Sequence, residues 1–271
     1  MMTSNAEQKP PVSLILVNYR SASYLARALE SLQSIEKADI PAQIIVVNND
    51  AGESGVLRGL QEKFRFVLIE NSKNGGFGQG ANLGALSAQS EIIGFLNPDI
   101  LWQKKCLKEI KAVFEDDENV GIVGMRLIDM DRRPDPWSYG KEPTFLRIIG
   151  NNLFPFWKIR SNWEGGLIRA DWVSGGALFI RKSVFQSVGG FDEQYFLYFE
   201  DVDLCRRVRD KKHRIVHVPT LPLLHYGGKS QSVTGAQKKH FYASQEIYFK
   251  KYRTSLEYFL LRLFRFLRHA Q

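Results

Sequence analysis

The sequence predicts an α/β protein: a mostly parallel sheet with helices on both faces, followed by a helical tail. Three observations predict it. Short apolar runs alternate with segments of helical periodicity through the first hundred residues. The runs have strand length and the periodic segments have helix length. A polar cluster follows each run, and open α/β sheets collect their ligands beyond the carboxyl ends of the strands.

The elements follow in order. Val12–Val17 is a short apolar run, the pattern of a strand buried on both faces. Ala22–Ile35 places Leu25, Leu29 and Leu32 at helical spacing. Ile44–Val47 is β-branched and ends in Asn48-Asn49-Asp50. Glu53–Lys63 reads as a helix, Phe66–Ile69 as a strand, Gln79–Gln89 as a helix and Ile92–Leu96 as a buried strand. That βαβαβαβ order is the signature of a parallel sheet. The clusters Asn18-Tyr19-Arg20, Asn48-Asn49-Asp50, Asn71–Gly78 and Asn97-Pro98-Asp99 then share one rim. From about residue 130 to 165 the periodicity fails: Pro134, Pro136, Pro143 and Pro155 interrupt it, and Trp137, Tyr139, Phe154, Phe156, Trp157 and Trp163 enrich it in aromatics. A stretch of that length reads as a functional loop. Regular signals resume at Asp171–Arg181 and Glu200–Arg209, and the last 30 residues read as helix.

Composition excludes several classes. The 271 residues are 44% hydrophobic and 24% charged, ordinary for a folded protein, with no repeat and no low-complexity segment. Cys106 and Cys205 are too few for a disulfide framework and too far apart for a CxxC metal site, so they read as reduced thiols of a cytosolic protein. The N-terminus has no basic region ahead of its short apolar run, so no signal peptide is expected, and no apolar run reaches the ~18 residues of a spanning helix. Residues 1–200 hold 22 Lys and Arg against 24 Asp and Glu, a net of −2, whereas residues 201–271 hold 15 against 5, a net of +10. The net charge of +8 therefore belongs to the C-terminal quarter. It points to a local anionic partner and not to a nucleic-acid-coating protein.

Four constellations carry chemistry. In Asn97-Pro98-Asp99, a buried strand delivers a carboxylate to the sheet edge, and Pro98 fixes the local backbone. Hard divalent cations take such oxygen ligands and share them with substrate phosphates. Glu200-Asp201-Val202-Asp203 opens a helix behind the aromatic Phe196-Leu197-Tyr198-Phe199. That setting raises a carboxylate pKa, as a general base requires; an acidic first turn that merely caps the helix is the competing reading. His225-Tyr226-Gly227-Gly228 follows the run Leu221–Leu224 and can add an imidazole to a site at Asp99; a structural histidine is the alternative. Asn74-Gly75-Gly76-Phe77-Gly78-Gln79-Gly80 offers backbone approach to a phosphate at a helix N-terminus, without the lysine of a P-loop.

Taken in order, these stretches resemble family 2 glycosyltransferases, in the branch of bacterial rhamnosyltransferase-like enzymes that build surface polysaccharides and cell wall. The matching segments are SLILVNYRSASYLARALESL, IIVVNND, NSKNGGFGQGANLGAL, GFLNPDI, DWVSGGALFIRKSVFQSVGGFDEQYFLYFEDVDLCRRVR and VPTLPLLHYGGKS, spanning residues 12 to 230. The resemblance implies a GT-A, Rossmann-like fold, a nucleotide-sugar donor, a divalent metal (Mn2+ or Mg2+) and inversion at the anomeric carbon. It makes Asp99 the metal ligand on the donor diphosphate and His225 a second metal contact. Asp201, beside Glu200, becomes the general base. Asn18, Asn48 and Asn74 fall where related enzymes hold the nucleoside, and Arg20, Asp50, Gly75, Gly76, Phe77, Asn82 and Asn97 complete the expected donor lining. Trp172, Ser174, Gly175 and Gly176 are expected to receive the acceptor. Two positions depart from the pattern: Asn48 and Asn97 each stand where the family usually has Asp.

The expected organisation is a nucleotide-sugar half (1–100), an acceptor and catalytic half (101–230) and a basic amphipathic tail (231–271). On a helical wheel, Leu256, Phe259, Leu260, Leu263, Phe264, Phe266 and Leu267 share one face, with Arg262, Arg265 and Arg268 opposite. Such a helix lies on an anionic membrane, at the inner face of the cytoplasmic membrane, or packs on the domain or on a second copy in a homodimer. The expected reaction is transfer of L-rhamnose from dTDP-L-rhamnose to a glycan or lipid-linked acceptor. A UDP-sugar donor and a catalytically inactive nucleotide-sugar-binding module are the alternatives. A nucleotidyltransferase would want a Lys/Arg-rich phosphate signature near the first strand, where only Arg20 lies.

Overall fold

A computed structural model describes residues 12–35, 41–102, 106–153, 166–226 and 235–269, with the side chains of residues 151–153 and 268–269 outside the description. Strands β1 (Val12–Asn18), β2 (Gln43–Asn48), β3 (Val67–Glu70) and β4 (Ile92–Leu96) alternate with helices α1 (Ala22–Gln33), α2 (Ser54–Phe64) and α3 (Gly76–Leu86). They pair in the order β3-β2-β1-β4, all parallel. Side chains alternate along each strand. Leu14, Leu16 and Val46 pack with α1, α2 and α4 (Cys106–Asp116), while Ile15, Val17 and Ile45 pack with α3 and α7 (Glu200–Asp210). The sheet is thus covered on both faces.

Beyond β4 the sheet becomes mixed. β10 (Ala177–Arg181) runs antiparallel between β4 and β6 (Val120–Ile128) and leads into the short α6 (Lys182–Ser187), and β11 (Arg214–His225) returns parallel to β6 and pairs antiparallel with β8 (Ile168–Arg169). Pro219 and Pro222 cannot donate ladder hydrogen bonds, and the register of β11 shifts between Val218 and Pro222. Past that irregularity β11 reaches the short β5 (Ile100–Leu101), pairing His225 with Ile100. The irregular stretch after residue 130 contains β7 (Tyr139–Gly140), which pairs with β9 (Trp172–Val173), and α5 (Phe145–Leu153). Its remainder, with Phe154, Phe156, Trp157 and Trp163, lies outside the described residues, as do Gly227 and Gly228.

The tail forms two helices, α8 (Gly235–Tyr252) and α9 (Ser255–His269). Their inward residues Tyr248, Phe249 and Leu261 share a third core with Tyr195, Phe199 and Val202. The inward face of α9 differs from the sequence expectation. Leu261 is buried, and Arg265 turns inward to donate to the Tyr242 carbonyl (3.0 Å) and to Gln245 (2.6 Å). Leu260 and Phe264 are half-buried. No helix among the described residues is long and apolar enough to cross a membrane.

Candidate active site

Pairing of β4 with β10 sets the centre of the site. Ala177 lies opposite Leu96, and just beyond, the Asn97 N–H donates to the Gly176 carbonyl at 3.0 Å. The chain then turns, with Ile100 N–H donating to the Asn97 carbonyl (3.1 Å), and enters β5. Because β5 pairs with the end of β11, Asp99 meets His225: the carboxylate Oδ2 is 3.1 Å from Nε2, and the Tyr226 N–H donates to the Asp99 carbonyl at 2.9 Å. The far side of the imidazole faces a second acid, Asp135, with Nδ1 to Oδ2 at 3.6 Å. Burial alone would lower the His225 pKa, but hydrogen bonding to Asp135 and Asp99 and their charges outweigh it, raising the pKa to about 9.

The residues fit a divalent cation on one specific ground. Asp99 Oδ1 is buried and makes no hydrogen bond, and a buried carboxylate oxygen is costly to leave unpaired. Asp99 and His225 thus offer an oxygen and a nitrogen side by side. No group of three or more His, Cys, Asp or Glu placed to hold a metal exists among the described residues. A cation held there would take its remaining ligands from phosphate oxygens and water, as is usual for cations shared with a substrate.

The second half of the site is the N-terminus of α7. Tyr198 and Phe199 precede it in left-handed conformations, with φ of 69° and 66°, and this turn delivers Glu200 and Asp201. Asp201 accepts two backbone hydrogen bonds, Gly175 N–H on Oδ2 and Val202 N–H on Oδ1, both at 2.8 Å. Glu200 is buried, and its Oε2 has no partner. Burial raises both pKa values, and the Asp201 charge adds to the rise at Glu200 while the backbone donors oppose it at Asp201. Burial thus favours the protonated form of both, and the two backbone donors favour a charge on Asp201. Since Gly175 adjoins Gly176, whose carbonyl holds Asn97, two neighbouring backbone contacts link Asp201 to the turn that carries Asp99.

The structure also places the expected donor and acceptor residues. Asn18 and Asn48 are buried and bonded to each other (3.1 Å); Asn18 also donates to Glu53 (2.8 Å), Asn48 to Glu70 (2.8 Å), and Asn48 Oδ1 accepts from Asp50 N–H (3.0 Å). These amides tie the strand ends together. Asn74 caps Gly76 N–H (3.0 Å), and Asn82 grips the backbone of Phe191 through both N–H and carbonyl (2.9 Å each). Arg20 is exposed beside Asp50 at 3.4 Å and over the Tyr19 ring. Gly76 has φ of +89°, and a Cβ there would stand 2.0 Å from the Phe196 carbonyl. That carbonyl accepts the Phe77 N–H (3.1 Å), so the Gly-rich turn locks onto the segment leading to Glu200. Phe77 reaches Gly175, a Cβ on which would lie 3.4 Å from both Phe77 and Asp201. Ser174 Oγ accepts from Gly176 N–H (3.1 Å). Trp172, half-buried, lies over Gly140 and donates its indole N–H to the Lys141 carbonyl at 3.0 Å.

Sequence reasoning did not single out Asp135, Glu53 or Glu70. Glu70 ends β3, so the strand-end rule applied one residue earlier would have found it. Glu53 accepts from Asn18, Ser21 N–H and Ala22 N–H and so caps α1. Asp135 sits in the aperiodic stretch and left no signal.

Comparison with known proteins decides the family. Residues 10–243 match the family model described as glycosyltransferase like family 2. The chain belongs to that family. It is similar to the N-acetylglucosaminyl-diphospho-decaprenol L-rhamnosyltransferase of Mycobacterium tuberculosis, 26% identical over 242 residues, 80% of this chain and 76% of the relative. It is also similar to the rhamnosyltransferase WbbL of Escherichia coli K12, 27% identical over 79% of this chain and 83% of the relative. Among solved structures it resembles GalNAc-T7 with UDP, GalNAc and Mn2+ (TM-score 0.65, 15% identity, 89% of this chain) and the Pyrobaculum calidifontis mannosyltransferase PcManGT with GDP-Man and Mn2+ (TM-score 0.58, 16% identity, 83%). The chain spans 48% and 59% of those two proteins. At such identity they establish the fold, GT-A. This glycosyltransferase thus falls in the rhamnosyltransferase-like branch of family 2.

Proposed function

We propose that this glycosyltransferase is a metal-dependent, inverting enzyme that moves L-rhamnose from dTDP-L-rhamnose onto a hydroxyl of a glycan or lipid-linked acceptor, working in the cytoplasm at the inner face of the membrane. The activities of the relatives support L-rhamnose as the sugar and a lipid-linked glycan as the acceptor class. Residues 1–100 form the donor half and residues 101–230 the acceptor and catalytic half. Arg20, Asp50 and the backbone from Asn74 to Phe77 line the donor side, and Ser174, Gly175 and Gly176 line the acceptor side beside Asp201.

The carrying observation is the hydrogen bond from Gly175 N–H to Asp201 Oδ2 (2.8 Å), one residue from the Asn97–Gly176 contact that leads to Asp99. It supports reading Asp201 as a base that works on the same substrate as the Asp99–His225 pair. Asp99 and His225 would hold a divalent cation there, which would neutralise charge on the leaving diphosphate. Asp201 takes the proton of the acceptor hydroxyl as that oxygen bonds the anomeric carbon and the bond to the diphosphate breaks. Attack and departure on opposite faces of the sugar invert the configuration.

Thermal shift with nucleotide sugars, each with Mn2+ or Mg2+, tests the donor: a ligand of the native state raises the melting temperature. A shift with dTDP-L-rhamnose and metal is expected. A shift with UDP-sugars alone would favour the alternative donor, and binding without release of nucleoside diphosphate would favour an inactive module.

A further inference from the structure

We propose that the outer face of α9 docks this protein on an anionic lipid surface. Leu256, Phe259, Leu263, Phe266 and Leu267 are between 42% and 70% exposed. They recur every three or four residues and form one stripe along a helix about 22 Å long. The opposite face is already used: Leu261 is buried, Phe264 packs edge-on against Phe145 of α5, and Glu257 accepts from the Phe145 N–H (3.1 Å). The neighbouring α5 carries a further leucine, Leu146, 78% exposed. Water-facing leucines and phenylalanines in a continuous row are what a monomeric surface avoids.

Charge selects the occupant. Residues 235–269 hold eight Lys and Arg against two Asp and Glu. Lys251, Arg253 and Arg265 are turned inward onto Asp203, Glu142 and Gln245. Lys238, Lys239, Lys250 and Arg262 remain exposed. A second copy meeting this stripe would bring an equally basic helix pair against it, whereas an anionic headgroup layer neutralises the charge while its acyl boundary receives the apolar row. The position suits a lipid-linked acceptor. α8, which packs on α9, stacks His240 on Phe196 (4.6 Å between centroids) and donates from Ser244 to the Leu197 carbonyl (2.8 Å), on the segment that delivers Glu200 and Asp201. The inference extends the function proposed above to the surface that meets the acceptor, but its test needs neither donor nor acceptor.

The test is co-sedimentation of the full chain with vesicles of phosphatidylcholine alone or mixed with phosphatidylglycerol, at low and high salt. Binding to the anionic vesicles only, weakened by salt, is expected. The double substitution Phe259→Ser/Phe266→Ser lowers partitioning by at least about tenfold, with the melting temperature held. Arg262→Gln, at an exposed side chain beside Glu246 (3.6 Å) and over the Tyr258 ring, lowers it about fivefold, again with the melting temperature held, and guards against misfolding of the first variant. Equal binding to neutral vesicles, no binding to either, or variants that bind like the wild type would overturn the proposal. So would a wild-type dimer that the double substitution converts to monomer.

Discussion

With His225 as the proposed metal ligand, its proton ties metal affinity to stability with opposite signs. In the metal-free protein the imidazole sits between Asp99 (3.1 Å) and Asp135 (3.6 Å) and has a pKa of about 9. An unfolded chain has a histidine pKa of ~6.5. The folded pKa is raised, so the stabilisation is fully present below ~6.5 and is lost as pH rises through about 9. A difference of ~2.5 pH units at ~1.36 kcal/mol each makes it about 3 kcal/mol. Metal binding runs the other way, because Nε2 must lose its proton to coordinate. The affinity of the metal-free protein for Mn2+ should therefore rise about tenfold per pH unit, or roughly 100-fold from pH ~6.5 to ~8.5.

Both trends are measurable on one preparation. Titration of free Mn2+ by electron paramagnetic resonance, under nitrogen, gives affinity against pH. Thermal melts of wild type and His225→Gln over the same range give the stability difference, which isolates this histidine from other titrating groups. Metal affinity that is flat between pH ~6.5 and ~8.5 would refute the placement of His225 as a ligand. A wild-type advantage in melting temperature that does not shrink toward pH ~9 would refute the ion-pair account.

Three further outcomes follow from the same geometry. Asp201→Asn should lower kcat by about 10²–10⁴-fold with donor affinity in thermal shift unchanged, and in the wild type the acidic limb of the rate profile should lie above the ordinary carboxylate range because burial raises the pKa of this residue. Asp135→Asn removes the acid behind His225, so Mn2+ affinity at pH ~8.5 should fall about 10–100-fold, and its pH dependence should flatten, both read in the same resonance titration. Gly76→Ala places a Cβ 2.0 Å from the Phe196 carbonyl at φ +89°; it should cost at least about 2 kcal/mol, seen as a lower midpoint in urea.

How much was legible depended on the range of the signal. The strands Val12–Asn18 and Ile92–Leu96 are buried on both faces, so their apolar runs announce them in any context. The polar residues at their ends follow from the same reading, which is how Asp99 and Asn18 were reachable. The pairing of β5 with β11 was not legible: it depends on a register shift at two prolines 120 residues downstream of Asp99. Asp135 became part of the site only through that pairing. The amide ladder of Asn18, Asn48 and Glu70 was also hidden, because an asparagine at a strand end reads equally as ligand contact or strand-end clamp. In the tail, periodicity exposed an amphipathic helix but not which side faces inward, since Leu260, Leu261 and Phe264 have similar hydrophobicity and only the partner surface chooses among them.

That partner surface bears on catalysis. Two consecutive non-glycine residues in the left-handed region, Tyr198 and Phe199, each cost about 1–2 kcal/mol, and such a turn persists only when its surroundings over-determine it. Those surroundings are the tail. Phe199 is buried between Phe241 and Tyr248 of α8, both at 5.5 Å between ring centroids, and Ser244 holds the Leu197 carbonyl. The tail helices thus hold the strained turn that aims Glu200 and Asp201. Phe241→Ala tests this. It removes an aromatic wall at a cost of about 2–3 kcal/mol and lets the turn relax, so kcat should fall by more than the loss of folded protein accounts for. Donor affinity should stay within about twofold, because the ring contacts of Phe241 are to Tyr198, Phe199 and Tyr242, none of them among the residues proposed to line the donor side. Unchanged kcat in folded Phe241→Ala would show that the turn is held by the sheet alone and that the tail serves only as a cover.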